Sequence, residues 1–317
     1  MLHLAIVIVS YNVRDLLARC LDSVYASLAS SPALNAAVWV VDNASADGSA
    51  DMVRSRFPQV NLLASERNLG FAGGNNAALR AMGFPDSAIT VPEYVLLLNP
   101  DTEVLDDALF QMVGFMGRQP RAGAAVARLQ YPDGRFQHSA FRLPDLAQIW
   151  FDFFAWPGRL VESFWNGRYP RALYEAGKPF AVECGLGAAF LIRSAAIRQI
   201  GLMDEGFFMY GEEIDWCWRL RKASWQVYCV PNARVVHHEG QSARQFREAM
   251  YVALWRSRFR LYHKHRGALF RLAARALVHL GIVAASRRAH AAARRGELSA
   301  DALARRLDAY RQVMALR

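Results

Sequence analysis

The chain has 317 residues, of which 53% are hydrophobic and 21% charged, a composition that excludes a disordered protein. It is long enough for one large domain, or for a domain with an appendage. The net charge of +10 is uneven, because residues 244–317 hold 17 Lys or Arg against 4 Asp or Glu. A basic tail on a near-neutral body predicts an anionic partner for the tail, either a membrane surface or nucleic acid.

The first 130 residues alternate short apolar runs with segments of helical periodicity. Strands are predicted at 4–10, 36–45, 60–65 and 94–99, and helices at 13–28, 47–57, 73–82 and 106–117. This alternation predicts βαβ units and a mainly parallel sheet. Further on, a strand is predicted at 187–193, a helix at 212–223 and helical structure from 243. The aromatic-rich segment 151–174 is predicted to be a packed loop or a region that contacts an acceptor.

Four of the predicted strands end in polar residues. These ends are Ser10-Tyr11-Asn12, Asp42-Asn43, Glu66-Arg67-Asn68 (after the third strand) and Asn99-Pro100-Asp101. Because ligands of parallel sheets bind beyond the carboxyl ends of the strands, the four ends predict one binding site. For Asp42, two interpretations stand: it accepts hydrogen bonds from a nucleobase or ribose, or it caps the following helix.

The glycine-rich segment 66–76 indicates a phosphate site. Gly70, Gly73 and Gly74 permit close backbone approach, Arg67 offers a guanidinium, and the following helix is expected to present N–H groups to an anion. The alternative is a plain turn. The chain contains neither the GxxxxGK[ST] phosphate loop nor the GxGxxG fingerprint, which argues against P-loop hydrolysis and dinucleotide binding.

Two later clusters carry acids and histidines. Glu212, Glu213 and Asp215 lie at a predicted helix start, where they either favour the helix dipole and pair with Arg219, or supply a general base. The adjacent histidines of "VVHHEGQS" (235–242) end another β-branched run and indicate a metal or phosphate site.

Seven segments, in order, resemble the family-2 inverting glycosyltransferases of the GT-A fold, particularly the branch of bacterial rhamnosyltransferases. They are "VSYN", "VDNASADGS", "ERNLGFAGGNN", "LLLNPDT", "GAAFLIR", "GLMDEGFFMYGEEIDWCWR" and "HHEGQS". The resemblance covers roughly residues 4–242. It implies an α/β, Rossmann-like GT-A domain over 1–242, with a mainly parallel central sheet flanked by helices. A basic, amphipathic helical region would follow over 243–317.

The resemblance also implies roles for individual residues. Asp101 and His237 would bind a divalent metal, Mg2+ or Mn2+, with His238 as the alternative ligand. The family's DxD element reads Asn99-Pro100-Asp101 here, so one carboxylate is replaced by an amide. Glu213 would be the general base, with Glu212 and Asp215 as alternatives. The nucleotide-sugar would contact Ser10, Tyr11, Asn12, Asp42, Arg67, Asn68, Gly70, Gly73, Asn76 and Asn99.

The implied activity is inverting transfer of a sugar, with rhamnose favoured, from a dTDP- or UDP-sugar. The acceptor would be a saccharide or a polyprenyl-linked saccharide in the synthesis of bacterial cell-surface polysaccharide. One alternative is a nucleotidyltransferase, although the first strand lacks the expected glycine-rich basic loop. Another is a non-catalytic protein that binds sugar nucleotides or nucleic acid, which the presence of Asp101, Glu213 and His237 disfavours.

Location and assembly are predicted from the cysteines and from the two ends of the chain. Cys20, Cys184, Cys217 and Cys229 have no CxxC spacing and are expected to be reduced thiols of a cytosolic protein. No secretory signal and no spanning helix of about 18 uninterrupted apolar residues are expected. In the tail, Arg271, Arg275 and His279 recur every four residues on an apolar helix, which predicts peripheral attachment to the anionic inner face of the plasma membrane. The alternative is packing on the catalytic domain or on a second subunit in a homodimer; no nucleic-acid partner is expected.

Overall fold

The computed structural model describes residues 3–86, 91–154, 156–238 and 247–316. The chain forms two compact units. The first comprises residues 1–142, 169–208 and 212–242, and the second comprises residues 143–168, 209–211 and 243–317. The second unit therefore takes in part of the aromatic segment as well as the basic tail. The division into a 1–242 domain and a 243–317 region stays a prediction.

The strands belong to the first unit. They are β1 (Leu4–Ser10), β2 (Ala36–Asp42), β3 (Asn61–Ala64), β4 (Tyr94–Leu98), β5 (Thr102–Val104), β6 (Ala122–Gln130), β7 (Phe136–Gln137), β8 (Ala140–Phe141), β9 (Phe180–Val182), β10 (Cys184–Gly185), β11 (Ala189–Arg193) and β12 (Gln226–His237).

The α-helices belong to both units. They are α1 (Arg14–Ala29), α2 (Ser49–Arg56), α3 (Gly70–Ala81), α4 (Ala108–Arg118), α5 (Leu146–Phe153), α6 (Gly158–Val161), α7 (Arg171–Glu175), α8 (Ser194–Ile200), α9 (Glu212–Lys222), α10 (Arg247–His265), α11 (Ala268–Arg294) and α12 (Ala300–Ala315). A short 3-10 helix spans Phe164–Asn166.

The main sheet has the strand order β3-β2-β1-β4-β11-β6-β12-β5, with β7 added beside β6 and β9 beside β12. The four strands β3, β2, β1 and β4 are parallel, and β12 is parallel to β6. Strand β11 runs antiparallel to both of its neighbours, β4 and β6. The predicted mainly parallel sheet flanked by helices is confirmed, with β11 reversing direction at its centre.

The core of the first unit explains why the apolar runs form strands. All seven residues of β1 and all five of β4 are buried, as expected for central strands covered by helices on both faces. The apolar sides of α1 and α4 pack in the same core through Leu17, Leu21 and Met112. Since β1 to β4 are parallel, their carboxyl ends meet at one edge of the sheet, as the four polar ends predicted.

Two local expectations differ from the structure, and part of a third lies outside the described residues. Helix α3 begins at Gly70 rather than at residue 73, and Gly70 itself takes a left-handed conformation at this boundary. The aromatic segment 151–174, for which a packed loop was one of two interpretations, contains the end of α5, α6, the 3-10 helix and most of α7; its contact with an acceptor stays a prediction. Residues 239–242 of the "HHEGQS" motif lie outside the described residues, so only its two histidines are placed.

The second unit is helical, as the periodicity of the basic tail predicted. Its core contains Ile149 and Phe153 of α5, Trp255 of α10, Val278 of α11 and Val313 of α12. By length and composition alone, α11 is apolar enough to cross a membrane, which differs from the sequence-based expectation of no such segment. Only 28% of its most apolar window is buried.

Candidate active site

The carboxyl ends of β1 and β2 are joined by hydrogen bonds at the sheet edge. The N–H of Asn43 donates to the Ser10 carbonyl oxygen at 2.8 Å. Asp42 accepts the N–H of Ser45 on Oδ2 at 3.1 Å. Both Ser10 and Asp42 are buried, yet Ser10 Oγ and Asp42 Oδ1 have no hydrogen-bond partner within the described chain. A buried acceptor without a donor is costly, so a ligand that supplies an N–H or O–H would be favoured here.

The capping interpretation of Asp42 is wrong, because the helix starts seven residues later at Ser49. Asp47 accepts both the N–H and the hydroxyl of Ser49 on Oδ1, at 3.0 and 2.6 Å, and the N–H of Arg14 on Oδ2 at 2.8 Å. Partial burial acts to raise the pKa of Asp47, but these hydrogen bonds outweigh it and lower the pKa. Asp47 therefore accepts the hydrogen bonds at the start of α2, and the Asp42 carboxylate lies at the end of β2.

Tyr11 and Asn12 form the loop that follows β1. Asn12 donates its N–H to Ser45 Oγ at 3.0 Å and accepts the Ala46 N–H on Oδ1 at 2.8 Å. Its φ of 52° is one that asparagine tolerates better than most residues. Tyr11 is exposed beside it. Asn12 thus fixes the loops after β1 and β2 relative to each other.

The glycine-rich segment begins α3 at the same edge. The Gly70 N–H donates to Asn68 Oδ1 at 2.9 Å, and the Phe71 N–H donates to the Phe208 carbonyl oxygen at 3.0 Å. These first N–H groups, which were expected to be open to an anion, are used within the chain. The exposed Arg67 makes no ion pair within the described residues, so its guanidinium is the cationic group of this segment that remains available.

Asn76 and Gly73 lie inside α3 and are both buried. Asn76 accepts the Met203 N–H at 3.0 Å and donates to the Met203 carbonyl oxygen at 2.9 Å and to Glu205 at 2.8 Å. The amide is thereby used to hold the 203–205 loop against α3. A contact of Asn76 or Gly73 with a nucleotide-sugar stays a prediction.

The "NPDT" turn connects β4 to β5 and places Asp101 beside β12. The Asn99 N–H donates to the Ala188 carbonyl oxygen at 2.9 Å, and the Thr102 hydroxyl donates to the Asn99 carbonyl oxygen at 2.7 Å. Thr102 is paired with His237 across the antiparallel β5–β12 ladder. This register brings Asp101 Oδ1 to 3.5 Å from His237 Nε2.

His237 is oriented towards Asp101 by a third residue. Its Nδ1 lies 3.2 Å from Gln137 Oε1, and this contact holds the ring with Nε2 on the side of Asp101. His237 Nε2 and Asp101 Oδ1 therefore lie close together in a buried position, where a cation could contact both. Imidazole oriented by an outer hydrogen bond, next to a carboxylate, suits a divalent metal. His238 instead lies 2.7 Å from Glu103.

The Asp101–His237 pair is not a complete metal cage. Within the described residues, no group of three or more His, Cys, Asp or Glu side chains could hold a metal ion. Mg2+-type sites commonly use one or two protein ligands together with substrate phosphates. The two residues fit this open kind of site.

The three acids of α9 occupy different environments. Asp215 is fully buried and forms an ion pair with Arg219, Oδ2 to Nε 2.9 Å, which confirms the i,i+4 pairing predicted for them. Glu212 is buried, whereas Glu213 is partly exposed. Glu213 lies beside Gly187, where an added Cβ would be 3.8 Å from Glu213 Cβ. Of the three, Glu213 is the acid that solvent reaches most easily.

Glu213 belongs to the same sheet edge as the "NPDT" turn. Gly187 precedes β11, and the next residue, Ala188, accepts the Asn99 N–H. Phe71 of α3 also lies close to Gly187, 3.5 Å from an added Cβ. The base candidate and the glycine-rich segment therefore both lie beside Gly187, next to the residue that binds the "NPDT" turn.

Two further residues shape this edge: Asn43, identified from the sequence only as part of a polar strand end, and Gln137, not singled out from it. Asn43 donates from Nδ2 to the Gly70 carbonyl oxygen at 3.1 Å and so ties β2 to α3. Its position directly after Asp42 was a usable signal. Gln137, which orients His237, comes from the two-residue strand β7, and no local pattern marks it.

The four cysteines contribute no reactive group. All are buried and free of disulfides. Burial raises the pKa of Cys20, Cys217 and Cys229 to about 12 and that of Cys184 well above its usual value, so all four stay thiols. The prediction of reduced core thiols agrees with this arrangement.

The comparisons with known proteins define the class of this site. The family model for glycosyl transferase family 2 matches residues 5–201. The chain belongs to this family and is a glycosyltransferase.

A similar curated protein is the N-acetylglucosaminyl-diphospho-decaprenol L-rhamnosyltransferase of Mycobacterium tuberculosis. It is 31% identical over 230 residues, which cover 70% of this chain and 73% of the relative. The rhamnosyltransferase WbbL of Escherichia coli K12 is 23% identical and covers 55% of this chain and 63% of its own length.

Solved structures share the fold. A mannosyltransferase from Pyrobaculum calidifontis in complex with GDP-Man and Mn2+ superposes with a TM-score of 0.58 at 17% identity, covering 99% of this chain and 83% of that one. GalNAc-T7 with UDP, GalNAc and Mn2+ has a TM-score of 0.55 at 16% identity, covering 75% of this chain and 44% of that one. The GT-A fold expected from the sequence is confirmed.

Proposed function

We propose that this chain is an inverting rhamnosyltransferase. It moves rhamnose from a nucleoside-diphosphate donor, dTDP-rhamnose in preference to a UDP-sugar, to a saccharide on a polyprenyl diphosphate. The reaction would serve synthesis of a bacterial cell-surface polysaccharide. The similarity to the mycobacterial N-acetylglucosaminyl-diphospho-decaprenol L-rhamnosyltransferase supports rhamnose as the transferred sugar and a polyprenyl-linked acceptor. The observation that carries the proposal is the placement of Asp101, His237 and Glu213 at one sheet edge.

The nucleoside would bind at the ends of β1 and β2. Asp42 Oδ1 and Ser10 Oγ are the buried acceptors without a partner within the described chain, and a pyrimidine N–H or a ribose hydroxyl would donate to them. Tyr11 lies exposed next to Ser10 and offers a ring face to the base. Asn12 would hold this loop in place through Ser45 and Ala46.

The diphosphate would lie between Arg67 and the "NPDT" turn. Arg67 is exposed at the end of the third strand and can form paired hydrogen bonds to phosphate oxygens. Asp101 and His237 would hold a divalent cation, Mg2+ or Mn2+, which when bound offsets the charge of the leaving diphosphate. The Asn99 side chain, half-buried beside them, would bind the donor through its amide.

Glu213 would act as the general base. It would accept the proton of the acceptor hydroxyl, whose oxygen attacks the anomeric carbon on the face opposite the diphosphate, so that configuration inverts. Asp215 is unsuited to this role because Arg219 holds it as a buried carboxylate. Glu212 is buried at the start of α9, which leaves Glu213 as the acid that an acceptor reaches.

The acceptor implies a location. A polyprenyl-linked saccharide is confined to a membrane, so the enzyme would work as a peripheral protein on the cytoplasmic face of the plasma membrane. The basic second unit supports this location, since anionic lipids attract clusters of Lys and Arg.

The test is a transfer assay with a panel of donors. Purified protein is incubated with dTDP-rhamnose, UDP-sugars or GDP-mannose and with N-acetylglucosamine linked to a polyprenyl diphosphate. Mass spectrometry identifies the product, and NMR gives the anomeric configuration. We expect a rhamnosylated product of inverted configuration from dTDP-rhamnose. A product from another donor only, or with retained configuration, would contradict the proposal.

A matched pair of variants tests the base. Glu213→Gln keeps the size of the side chain but removes its basicity, and should lower kcat about 10^2- to 10^4-fold with little change in donor affinity. Glu175→Gln makes the same change at an exposed ion pair in α7 and should leave kcat unchanged. Equal activity of both variants would remove Glu213 from the mechanism.

A further inference from the structure

Helix α11 has an apolar inner face that packs within the second unit. Ala274, Val278 and Ile282 belong to the buried core of this unit. At Gly281 the helix lies so close to Phe153 that an added Cβ would clash with the aromatic ring. One side of α11 is therefore buried by packing within the second unit.

The opposite face of α11 is also apolar, and it is exposed. Leu269, Leu272, Leu280 and Val283 are 84%, 68%, 60% and 42% exposed. At 100° per residue these four side chains fall within a stripe about 80° wide, roughly opposite to the inner face. The stripe is about 21 Å long, at 1.5 Å per residue. We call these four residues the outer stripe. Exposing several leucines in a row is unfavourable unless another surface covers them.

The charges around the outer stripe are of one sign. Helix α11 contains five Arg and no Asp or Glu. At 100° per residue, Arg287 falls within the stripe, Arg275 about 60° from its edge and Arg271 about 100° from its edge, towards the inner face. Arg271 and Arg275 meet the stripe at Leu272, with which they line one pocket. Neither Arg271 nor Arg275 forms an ion pair with an acid within the described part of the chain. An apolar stripe accompanied by unneutralised arginines complements an anionic, apolar partner.

A pocket of about 300 Å³ adjoins the stripe. It is lined by Phe259, Tyr262, His263, Arg271, Leu272 and Arg275, so Leu272 belongs to both features. Arg275 is held by its hydrogen bond to the Leu316 carbonyl oxygen at 3.2 Å and by the Phe259 ring, 5.8 Å away. Two guanidinium groups and an imidazole around one small pocket suit a phosphate group.

We infer that the outer stripe docks onto an anionic phospholipid bilayer and that this pocket binds a lipid phosphate. The leucines would lie among the upper acyl chains while Arg271 and Arg275 contact the headgroups, as in interfacial amphipathic helices. Because its inner face is packed in the core of the unit, α11 would lie along the surface rather than cross the bilayer. The inference rests on the proposed lipid-linked acceptor for its purpose, but its test is independent of transfer.

The test is co-sedimentation of the full chain with vesicles, without any substrate. Vesicles of phosphatidylcholine alone are compared with vesicles that also contain phosphatidylglycerol. We expect tighter binding to the mixed vesicles. Leu272→Asp combined with Leu280→Asp should weaken binding to both kinds at least tenfold, since each leucine leaves its apolar surroundings. Phe110→Asp, at an exposed apolar residue of α4, is the control and should bind as the wild type does.

A second pair of variants tests the pocket. Arg271→Gln with Arg275→Gln should weaken binding to the mixed vesicles about 30-fold, at about fivefold per arginine, and leave binding to phosphatidylcholine little changed. Arg19→Gln with Arg198→Gln removes the same charge from exposed sites on α1 and α8 and should have a much smaller effect. Thermal unfolding of each variant checks that the fold is intact.

Several outcomes would overturn the inference. One is equal vesicle binding by the stripe, pocket and control variants. Another is a wild-type dimer, seen by sedimentation velocity, that the Leu280→Asp variant converts to monomer, because a second copy would then cover the stripe. Transfer to a water-soluble acceptor should be unchanged in all four variants. If wild-type transfer fails while vesicle binding follows the pattern above, the proposed function falls and this inference stands.

Discussion

The backbone contact between Gly70 and Phe208 gives a prediction with a matched control inside the same chain. Gly70 has φ +71°, and an added Cβ would lie at the Phe208 carbonyl oxygen, only 2.3 Å from it. Gly48 has nearly the same conformation, φ +79°, but an added Cβ there would meet nothing within 4 Å. Comparing Gly48→Ala with Gly70→Ala therefore separates the cost of the left-handed backbone conformation from the cost of the steric clash with Phe208.

The expected losses of folding stability differ about threefold between the two variants. Placing alanine in the left-handed conformation costs about 1–2 kcal/mol, offset by about 0.4–1 kcal/mol from the restricted unfolded chain, so Gly48→Ala should cost about 1 kcal/mol. Gly70→Ala must also separate α3 from Phe208 and break the hydrogen bond from the Phe71 N–H. Leaving that N–H unpaired adds about 1–3 kcal/mol, for a total of about 3 kcal/mol.

Thermal unfolding measures both variants. At about 2 °C per kcal/mol for a chain of this size, Tm should fall by about 2 °C for Gly48→Ala and by about 6 °C for Gly70→Ala. Donor affinity should also fall for Gly70→Ala, because the segment that carries Arg67 is displaced. Equal Tm shifts for the two variants would refute the close approach of Gly70 to Phe208.

Two further predictions concern buried and surface carboxylates. Asp215→Asn should lower the free energy of unfolding by about 3 kcal/mol, because Arg219 loses its buried partner. Asp51→Asn, in an exposed ion pair, should change it by less than about 1 kcal/mol. Urea denaturation compares the two variants, and equal losses of stability would contradict the role given to Asp215. The pKa of Glu205 is lowered from its ordinary value of 4.5 mainly by the hydrogen bond from Asn76, so its contribution is complete above that pH and is lost as the pH falls through the folded-state value. Glu205→Gln should therefore reduce the loss of stability below pH 4.5, by less than about 1 kcal/mol for this half-exposed group; an unchanged acid limb of the stability curve would argue against it.

The elements that the sequence predicted well are those that local patterns determine. The buried runs of β1 and β4 are too apolar and too short to form anything but central strands of a covered sheet. The Asp215–Arg219 pair follows from helical spacing alone, and the structure contains it. The polar ends of the parallel strands meet because parallel strands share one edge.

What the sequence did not predict depends on hydrogen-bond partners that no pattern specifies, and several of these partners are distant along the chain. Helix α2 begins at Ser49 rather than at the predicted residue 47, where Asp47 instead accepts the N–H groups of Ser49 and Arg14. The first N–H groups of α3 are used by Asn68 and by Phe208, and the latter contact spans more than 130 residues. Similarly, Gln137 reaches His237 only because β7 and β12 lie on either side of β6.

The second unit shows the same division between local and distant causes. Helical periodicity and basic charge predicted its helices, including the recurrence of Arg271 and Arg275. The sequence alone could not tell which apolar residues of α11 would be buried, because an all-round apolar helix has no unique inner face. The packing of Phe153 on Gly281 determines which face of α11 is buried, and it leaves the outer stripe exposed.

The central claim is that Asp101 and His237 make nucleotide binding depend on a divalent metal, and calorimetry tests it most directly. dTDP is titrated into wild type, Asp101→Ala and His238→Ala, each with Mn2+ and with EDTA. His238→Ala is the control, because His238 pairs with Glu103 rather than with Asp101. We expect wild type and His238→Ala to bind dTDP only with Mn2+, and Asp101→Ala to bind about 10- to 100-fold more weakly. Equal affinity in EDTA, or in Asp101→Ala, would contradict the account and leave the "NPDT" turn a purely structural element.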